Sequence, residues 1–489
     1  MIKHLIDARL VDYVYRSLTD AQREEMDIHL STCQDCRARL AGHETLHRRA
    51  HYSILDVRRQ VGASSQATFA DIAPRLRRSR RLAAFWTGSK QFAYGAAMLV
   101  VLVVLVVGLM LFFRNIGQPD IGLVSAEAVY KGGPQRTGVY DVKGPKVGEL
   151  LWRFPTKGAM EASPTVVDGV AYVGSHDGFL YAVDTQTGQE KWRFETGRQM
   201  FSTPAVGDGT VYVGSGCVSS GTFCGESPGL DSSLYALDLQ TGREKWRFET
   251  GGAVASSPLL ADGVVYFGSG DQHVYALDSG TGREKWRFRT EDAVWSSPAL
   301  ADGVLYIGAG CDDSASSENR HLNAQDSQTG PQLWRFETGG WVQATPAVAD
   351  GTVYVGSSDR HVYALDSRTG QEKWRFETAS RVFDSPAVAD GVLYVAGTDW
   401  NLYALDSQTG RELWRLETGG PMLSGPAIAD GVVYVGNQRG KLFAVEAETG
   451  QALWNFQAWR SARGSPVVGD GVVYFVSSDA NLYAVGDPQ

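Results

Sequence analysis

The chain has 489 residues, 43% hydrophobic and 21% charged, a balance that excludes a disordered or low-complexity polypeptide. That length leaves room for about three domains. Its net charge of −9 divides unevenly: residues 1–91 carry 16 Lys and Arg against 10 Asp and Glu, and the remainder carries 30 against 45. So acidic a body excludes a phosphate-neutralising nucleic-acid surface there and predicts two environments on one polypeptide.

Residues 1–50 read as a small α-helical head. In His4–Leu18 the residues Leu5, Ala8, Val11, Tyr15 and Leu18 recur at helical spacing. Thr19-Asp-Ala-Gln22 forms a capping box that opens a second helix to about Leu30. His29-x3-Cys33-x2-Cys36 follows, and five of the nine histidines lie in the first 51 residues. A histidine late in a helix and two cysteines across the next turn can converge on one tetrahedral Zn²⁺ at about 2.0–2.3 Å. This motif, in a short N-terminal segment ahead of an apolar run, resembles the zinc-binding anti-sigma domain. The resemblance implies a cytoplasmic helical module that sequesters a sigma factor of the extracytoplasmic-function group. It also implies a fourth zinc ligand some way upstream, which His4 fits, 25 residues before His29, with His43, His47 and His51 as rivals.

Residues 51–91 form a basic linker, with Arg75, Arg77, Arg78, Arg80, Arg81 and Lys90 crowding its end. Residues 92–113 (FAYGAAMLVVLVVLVVGLMLFF) contain no charge over 22 positions. At about 1.5 Å per residue such a helix reaches roughly 33 Å, enough to cross a hydrocarbon core of about 30 Å. A signal peptide is not expected with so long a segment before the run. The arginines predict a single-pass protein of the bacterial plasma membrane, its N-terminus cytoplasmic and its C-terminal body outside. Residues 114–148 read as a flexible extracytoplasmic linker.

From residue 149 to 489 one pattern recurs eight times. Tryptophans at 152, 192, 246, 286, 334, 374, 414 and 454, and prolines at 164, 204, 258, 298, 346, 386, 426 and 466, share spacings of 40, 54, 40, 48, 40, 40 and 40. Two repeats therefore carry insertions. Each holds an Asp-Gly pair between alternating β-formers, which suits the positive φ angles of a tight hairpin, and most hold a Thr-Gly pair before the tryptophan. The unit predicts four antiparallel strands, and eight units predict an all-β eight-bladed propeller. The last repeat ends before any tryptophan strand, so Leu150–Phe154 is expected to supply its outer strand and close the ring.

The motif Ala364-Leu-Asp366-Ser-Arg-Thr369-Gly370-Gln-Glu-Lys-Trp374 resembles the tryptophan-docking repeat of the quinoprotein (PQQ-like) propellers. That resemblance implies tryptophans packed between neighbouring blades. Three repeats depart from it, at Gln325, Glu446 and Gly486, without expected cost to the fold. The family includes PQQ-dependent dehydrogenases, which typically carry a vicinal cysteine pair over the quinone; here no two cysteines are adjacent. The uniform repeats also leave little room for divergent polar residues at an axial mouth. No catalytic residue is assigned and no PQQ is expected. In repeat text and size the body is similar to the propeller lipoprotein of the outer-membrane β-barrel assembly machinery, a scaffold.

Trp295, Trp341 and Trp459 fall between a tryptophan strand and the next proline strand, and Trp400 falls in a hairpin turn. Exposed aromatics there would suit a partner-binding surface for a protein or envelope ligand. Both insertions begin Gly-x-Gly-Cys; outside the cytoplasm a Cys217–Cys224 disulfide would pin the first, although Cys311 leaves other pairings open. The sequence thus predicts a membrane regulator: a zinc head that binds a sigma factor inside and a propeller that binds an envelope ligand outside. An envelope scaffold is the alternative, and a quinoprotein enzyme the third.

Overall fold

The computed structural model describes residues 130–216, 232–310, 320–469 and 471–488. The zinc-motif residues His4, His29, Cys33 and Cys36, the apolar run 92–113, and Cys217, Cys224 and Cys311 lie outside the described residues. Among the described residues no helix is long and apolar enough to cross a membrane.

Eight four-stranded antiparallel sheets follow one another as blades. Blades 1 to 7 span 165–195, 205–249, 259–289, 299–337, 347–377, 387–417 and 427–457; blade 8 joins 467–486 to the first strand of the chain, Glu149–Pro155. Blade 3 shows the logic. Its inner strand Leu259–Ala261 and the next two, Val264–Ser269 and His273–Asp278, are almost wholly buried. Its outer strand Glu284–Arg289 alternates charged residues with the buried Trp286 and half-buried Phe288, so its free edge presents glutamates and arginines rather than an apolar template. Between the inner strands Asp262 and Gly263 take φ of +50° and +70°, as a two-residue hairpin of this twist requires. The third and fourth strands turn at Asp278, whose carboxylate accepts the Thr281 amide and hydroxyl at 2.9 and 2.7 Å. That turn holds the Asp278 carboxyl below its ordinary pKa, chiefly through the Thr281 hydroxyl.

Adjacent blades are joined at three radii. Outermost, a tryptophan and a tyrosine of one blade donate to a single carbonyl of the next. Trp286 and Tyr266 meet Ser327 O at 3.0 and 3.1 Å, and Trp374 and Tyr354 meet Ser407 O at 3.0 and 3.1 Å. The indole lies on the Thr-Gly glycine beyond: a Cβ on Gly330 would stand 2.9 Å from Trp286. Each donor contributes about 1 kcal/mol net, and the tilted Tyr–Trp pair adds about 0.5–1.5 kcal/mol. At mid-radius, aliphatic and aromatic side chains of neighbouring blades form continuous clusters, as Val265, Phe267 and Tyr275 do with Leu305 and Ile307. Innermost, hydroxyls one residue before the repeat prolines, Pro426 excepted, link blade to blade. The Ser163 amide donates to Thr203 Oγ1, Thr203 to Ser257 Oγ, Ser257 to Ser297 Oγ and Thr345 to Ser385 Oγ, all at 2.9–3.1 Å.

The ring closes as the missing tryptophan strand required. Glu149–Pro155 pairs antiparallel with the last strand, Asn481–Gly486. Trp152 then docks blade 8 to blade 1, donating to Thr185 O at 2.8 Å. The repeat departures are absorbed locally. Glu446 accepts the Thr449 hydroxyl as an aspartate would, and Asp487, one place late, accepts the Lys146 and Val147 amides at 2.8 Å each. Gln325 is buried with neither amide atom partnered among the described residues.

Candidate functional site

Residues 131–148, read from sequence as part of a linker, are packed into the propeller. Four amides of successive inner strands, at Leu300, Val348, Val388 and Ile428, donate to the carbonyls of Pro134, Gln135, Thr137 and Gly138 at 2.8–2.9 Å. The segment therefore curves round the central axis past blades 4 to 7. Gly138 N–H closes it by donating to Lys131 O at 3.0 Å. Left-handed backbone at Lys131, Gly132, Arg136 and Gly138 (φ +60°, +81°, +57° and +75°) makes the tight course possible, and two of these residues are not glycine.

Two cations anchor it, and both are buried: Lys131 is 1% exposed and Arg136 0%. Arg136 Nε donates to Pro298 O at 2.9 Å and Nη2 to Pro258 O at 3.0 Å, spanning blades 3 and 4. Lys131 Nζ donates to Ser385 O at 2.6 Å and to Pro386 O and Pro426 O at 3.2 Å, spanning blades 6 and 7. Three carbonyls round one nitrogen are the acceptor set of a protonated ammonium, which has three N–H groups and no lone pair to offer. Burial pulls the Lys131 pKa down to about 7 against the pull of nearby Asp384, and burial raises Asp384 to about 7 against Lys131 and Arg463. Asp384 Oδ2 is enclosed without a hydrogen-bond partner among the described residues. Asp384 is the one carboxylate at its repeat position, where other blades have Ala, Ser or Gly; Gly425, just before Pro426, is the one position in its series without a hydroxyl. A Cβ there would lie 2.5 Å from Lys131 Nζ. The two departures frame the ammonium, and together they were the available sequence signal for this site.

From the axis the chain runs outward across the Asp-Gly face of blade 7. There Trp454 lacks a Thr-Gly turn in blade 8 to dock on, and residues 145–148 replace it: the indole donates to Pro145 O at 3.3 Å and lies against Gly148. Tyr434 correspondingly faces Gly144.

The four tryptophans singled out from sequence share the opposite face, since strand-to-strand turns and blade-to-blade connections on that side alternate with the Asp-Gly and Thr-Gly turns. The structure does not bring them into one cluster. Trp459 is 84% exposed and Trp400, at φ +76°, is 40% exposed with the Arg439 guanidinium 5.3 Å above its ring. Trp341 is half-buried against Phe383 at 5.3 Å, with Arg381 at 5.5 Å. Trp295 is half-buried over Gly270, its indole N–H unpartnered among the described residues. Two arginine-capped indoles and one bare one make a discontinuous polar-aromatic face. Near it an Arg463–Glu161 ion pair at 2.7 Å bridges blades 8 and 1, and burial lowers the pKa of the adjacent His176. Among the described residues no three His, Cys, Asp or Glu side chains are grouped to hold a metal.

Fold and blade docking define the class, a tryptophan-docked eight-bladed propeller. Matches to the family described as outer membrane protein assembly factor BamB cover residues 138–226, 227–315, 291–422 and 401–487, and the chain belongs to that family. A zinc-finger family matches residues 5–37, taking in His29, Cys33 and Cys36 and beginning one residue after His4. No curated protein matches the chain. Among solved structures it is similar to BamB from Moraxella catarrhalis (17% identity, TM-score 0.58, 70% of this chain and 100% of that one). It is also similar to the quinohemoprotein alcohol dehydrogenase of Comamonas testosteroni (17%, 0.62, 74% and 81%). The computationally designed Ika8 protein is a third (18%, 0.58, 71% and 100%). At these identities the likeness is one of fold.

Proposed function

We propose that the protein is a membrane-anchored, non-catalytic regulator: a cytoplasmic zinc head binds an extracytoplasmic-function sigma factor, and the propeller binds a protein or envelope ligand outside the plasma membrane. The observation that carries this reading is the order of parts on one chain. A zinc-finger match at 5–37 precedes a charge-free run at 92–113, and a propeller family match starts at 138. In the head, His29, Cys33 and Cys36 with His4 would hold Zn²⁺ and fix the helices that cover the sigma surface. The exposed Trp459 and Trp400 are the first residues to test as the ligand-binding edge. Co-expression of the full chain with extracytoplasmic-function sigma factors of its own genome should give, with one of them, a complex that Cys33→Ser and Cys36→Ser abolish. A clean failure to retain any sigma factor sinks the proposal.

A second reading, an envelope scaffold with a structural head, is favoured by the family description and by full coverage of the Moraxella BamB chain. Cross-linking from Trp459 to barrel-assembly proteins, with no sigma factor bound, would select it. Catalysis has less support, because the sequence has no vicinal cysteines. A quinone absorbance after adding PQQ and Ca²⁺ would reverse that judgement.

A further inference from the structure

We propose that residues 131–138 are a latch, pinned by Lys131 in a primary-ammonium site between blades 6 and 7, whose release frees the axial face of the inner strands. The site is built for that pin. Its ligands are the carbonyls of Ser385, Pro386 and Pro426, its floor is the missing side chain of Gly425, and its field is set by the enclosed carboxylate of Asp384. Blades 6 and 7 give up their repeat residues at 384 and 425, and with Gly425 the inter-blade hydroxyl that other blades use.

The seat is polar, and that makes it releasable. The segment Lys131-Gly-Gly-Pro-Gln-Arg-Thr-Gly138 offers no large apolar side chain to bury. It holds left-handed backbone at two non-glycine residues, and its lysine bonds to main-chain carbonyls. Hydrophobic burial does not hold it in place; cation-to-carbonyl and main-chain hydrogen bonds do. Elements of this kind open locally well below the free energy of global unfolding. Through Lys131 the propeller axis is joined directly to the 130 residues that precede it. Withdrawal of the pin would unseat the carbonyls of Pro134, Gln135, Thr137 and Gly138 from four blades.

Hydrogen exchange on the purified full chain tests this, read at the amides of Leu300, Val348, Val388 and Ile428. Loss of one charge-assisted anchor predicts exchange there about tenfold faster, or more, in Lys131→Ala. Strand amides elsewhere in the blades, such as Leu237 and Leu277, should stay unchanged. Ethylammonium should slow the exchange again by refilling the site, and tetramethylammonium, which cannot donate, should not. Gly425→Ala leaves the latch sequence intact but places a methyl where the ammonium sits, and should reproduce the effect. Wild-type exchange at the four amides in both variants overturns the latch, as does acceleration rescued equally by the two amines. If Lys131→Ala destabilises every blade, Gly425→Ala decides: acceleration confined to the axis supports the latch, and uniform acceleration refutes it.

Discussion

Trp152 gives the sharpest test of how the ring is closed. Among the described docking tryptophans it alone sits on a strand remote in sequence from the rest of its blade. Its indole N–H donates to Thr185 O at 2.8 Å, its ring lies on Gly188, and it tilts against Tyr474 at 5.9 Å. Trp152→Phe removes the indole donor to Thr185 O, a cost of about 1 kcal/mol. Trp152→Ala removes the packing as well and, for a half-buried ring, should cost about 2–3 kcal/mol, below the full range for a buried aromatic. Trp286, buried in blade 3 with the same kind of bond to Ser327 O at 3.0 Å, is the control because its strand is covalently continuous with its blade. Exchange measured across 149–155 should rise in Trp152→Ala at temperatures where distant blades are still protected. Trp286→Ala should lower the melting temperature without a selectively exposed 149–155. If the two variants gave the same exchange map, the closing seam would be no weaker than any other, and the reasoning would fail.

The Asp384 carboxyl is raised to about 7 by burial, so the folded protein binds a proton that the unfolded chain releases at about pH 4. Its effect is stabilising at low pH and is lost as pH rises from about 4 to 7. Wild type should gain about 2 kcal/mol over Asp384→Asn between pH 7 and 5, read as diverging melting temperatures; parallel curves would exclude it. Gly391→Ala, in open space at φ +77°, should destabilise by about 1 kcal/mol from backbone strain alone in a denaturant titration. Cys33→Ser should abolish zinc retained after dialysis, measured by metal analysis. Protease added to intact spheroplasts should digest the propeller; protection until detergent lysis would place it inside.

The blades were legible in the sequence because each residue type serves the same local end eight times. Asp-Gly bends the hairpin, Val and Tyr line a buried strand, and a tryptophan needs a flat glycine to dock on. The closing strand followed from one tryptophan too few at the end. The shared carbonyl that joins Tyr266 and Trp286 to Ser327 was not legible, because main-chain acceptors leave no mark on the side chains. Nor was the axial segment. Rich in glycine and proline, with no apolar period, Lys131–Gly138 reads as linker; its signature is two small departures far along the chain, Asp384 and Gly425. The loop tryptophans could be placed on one face by topology, but the arginine above Trp400 comes from the neighbouring blade and only folding reveals it.

The pairing of Lys146 and Val147 with Asp487 sets an order of events in biosynthesis. The outer strand of blade 8 is made early, yet it has nothing to pair with until Asn481–Gly486 emerges from the ribosome. Seven blades can accumulate as a growing arc while 149–155 stays unpaired, and only the strand at 481–486 converts the arc into a circle. A chain lacking 481–486 would carry an unmatched strand edge on either side of the gap, a natural mark by which quality control could tell an open arc from a closed ring.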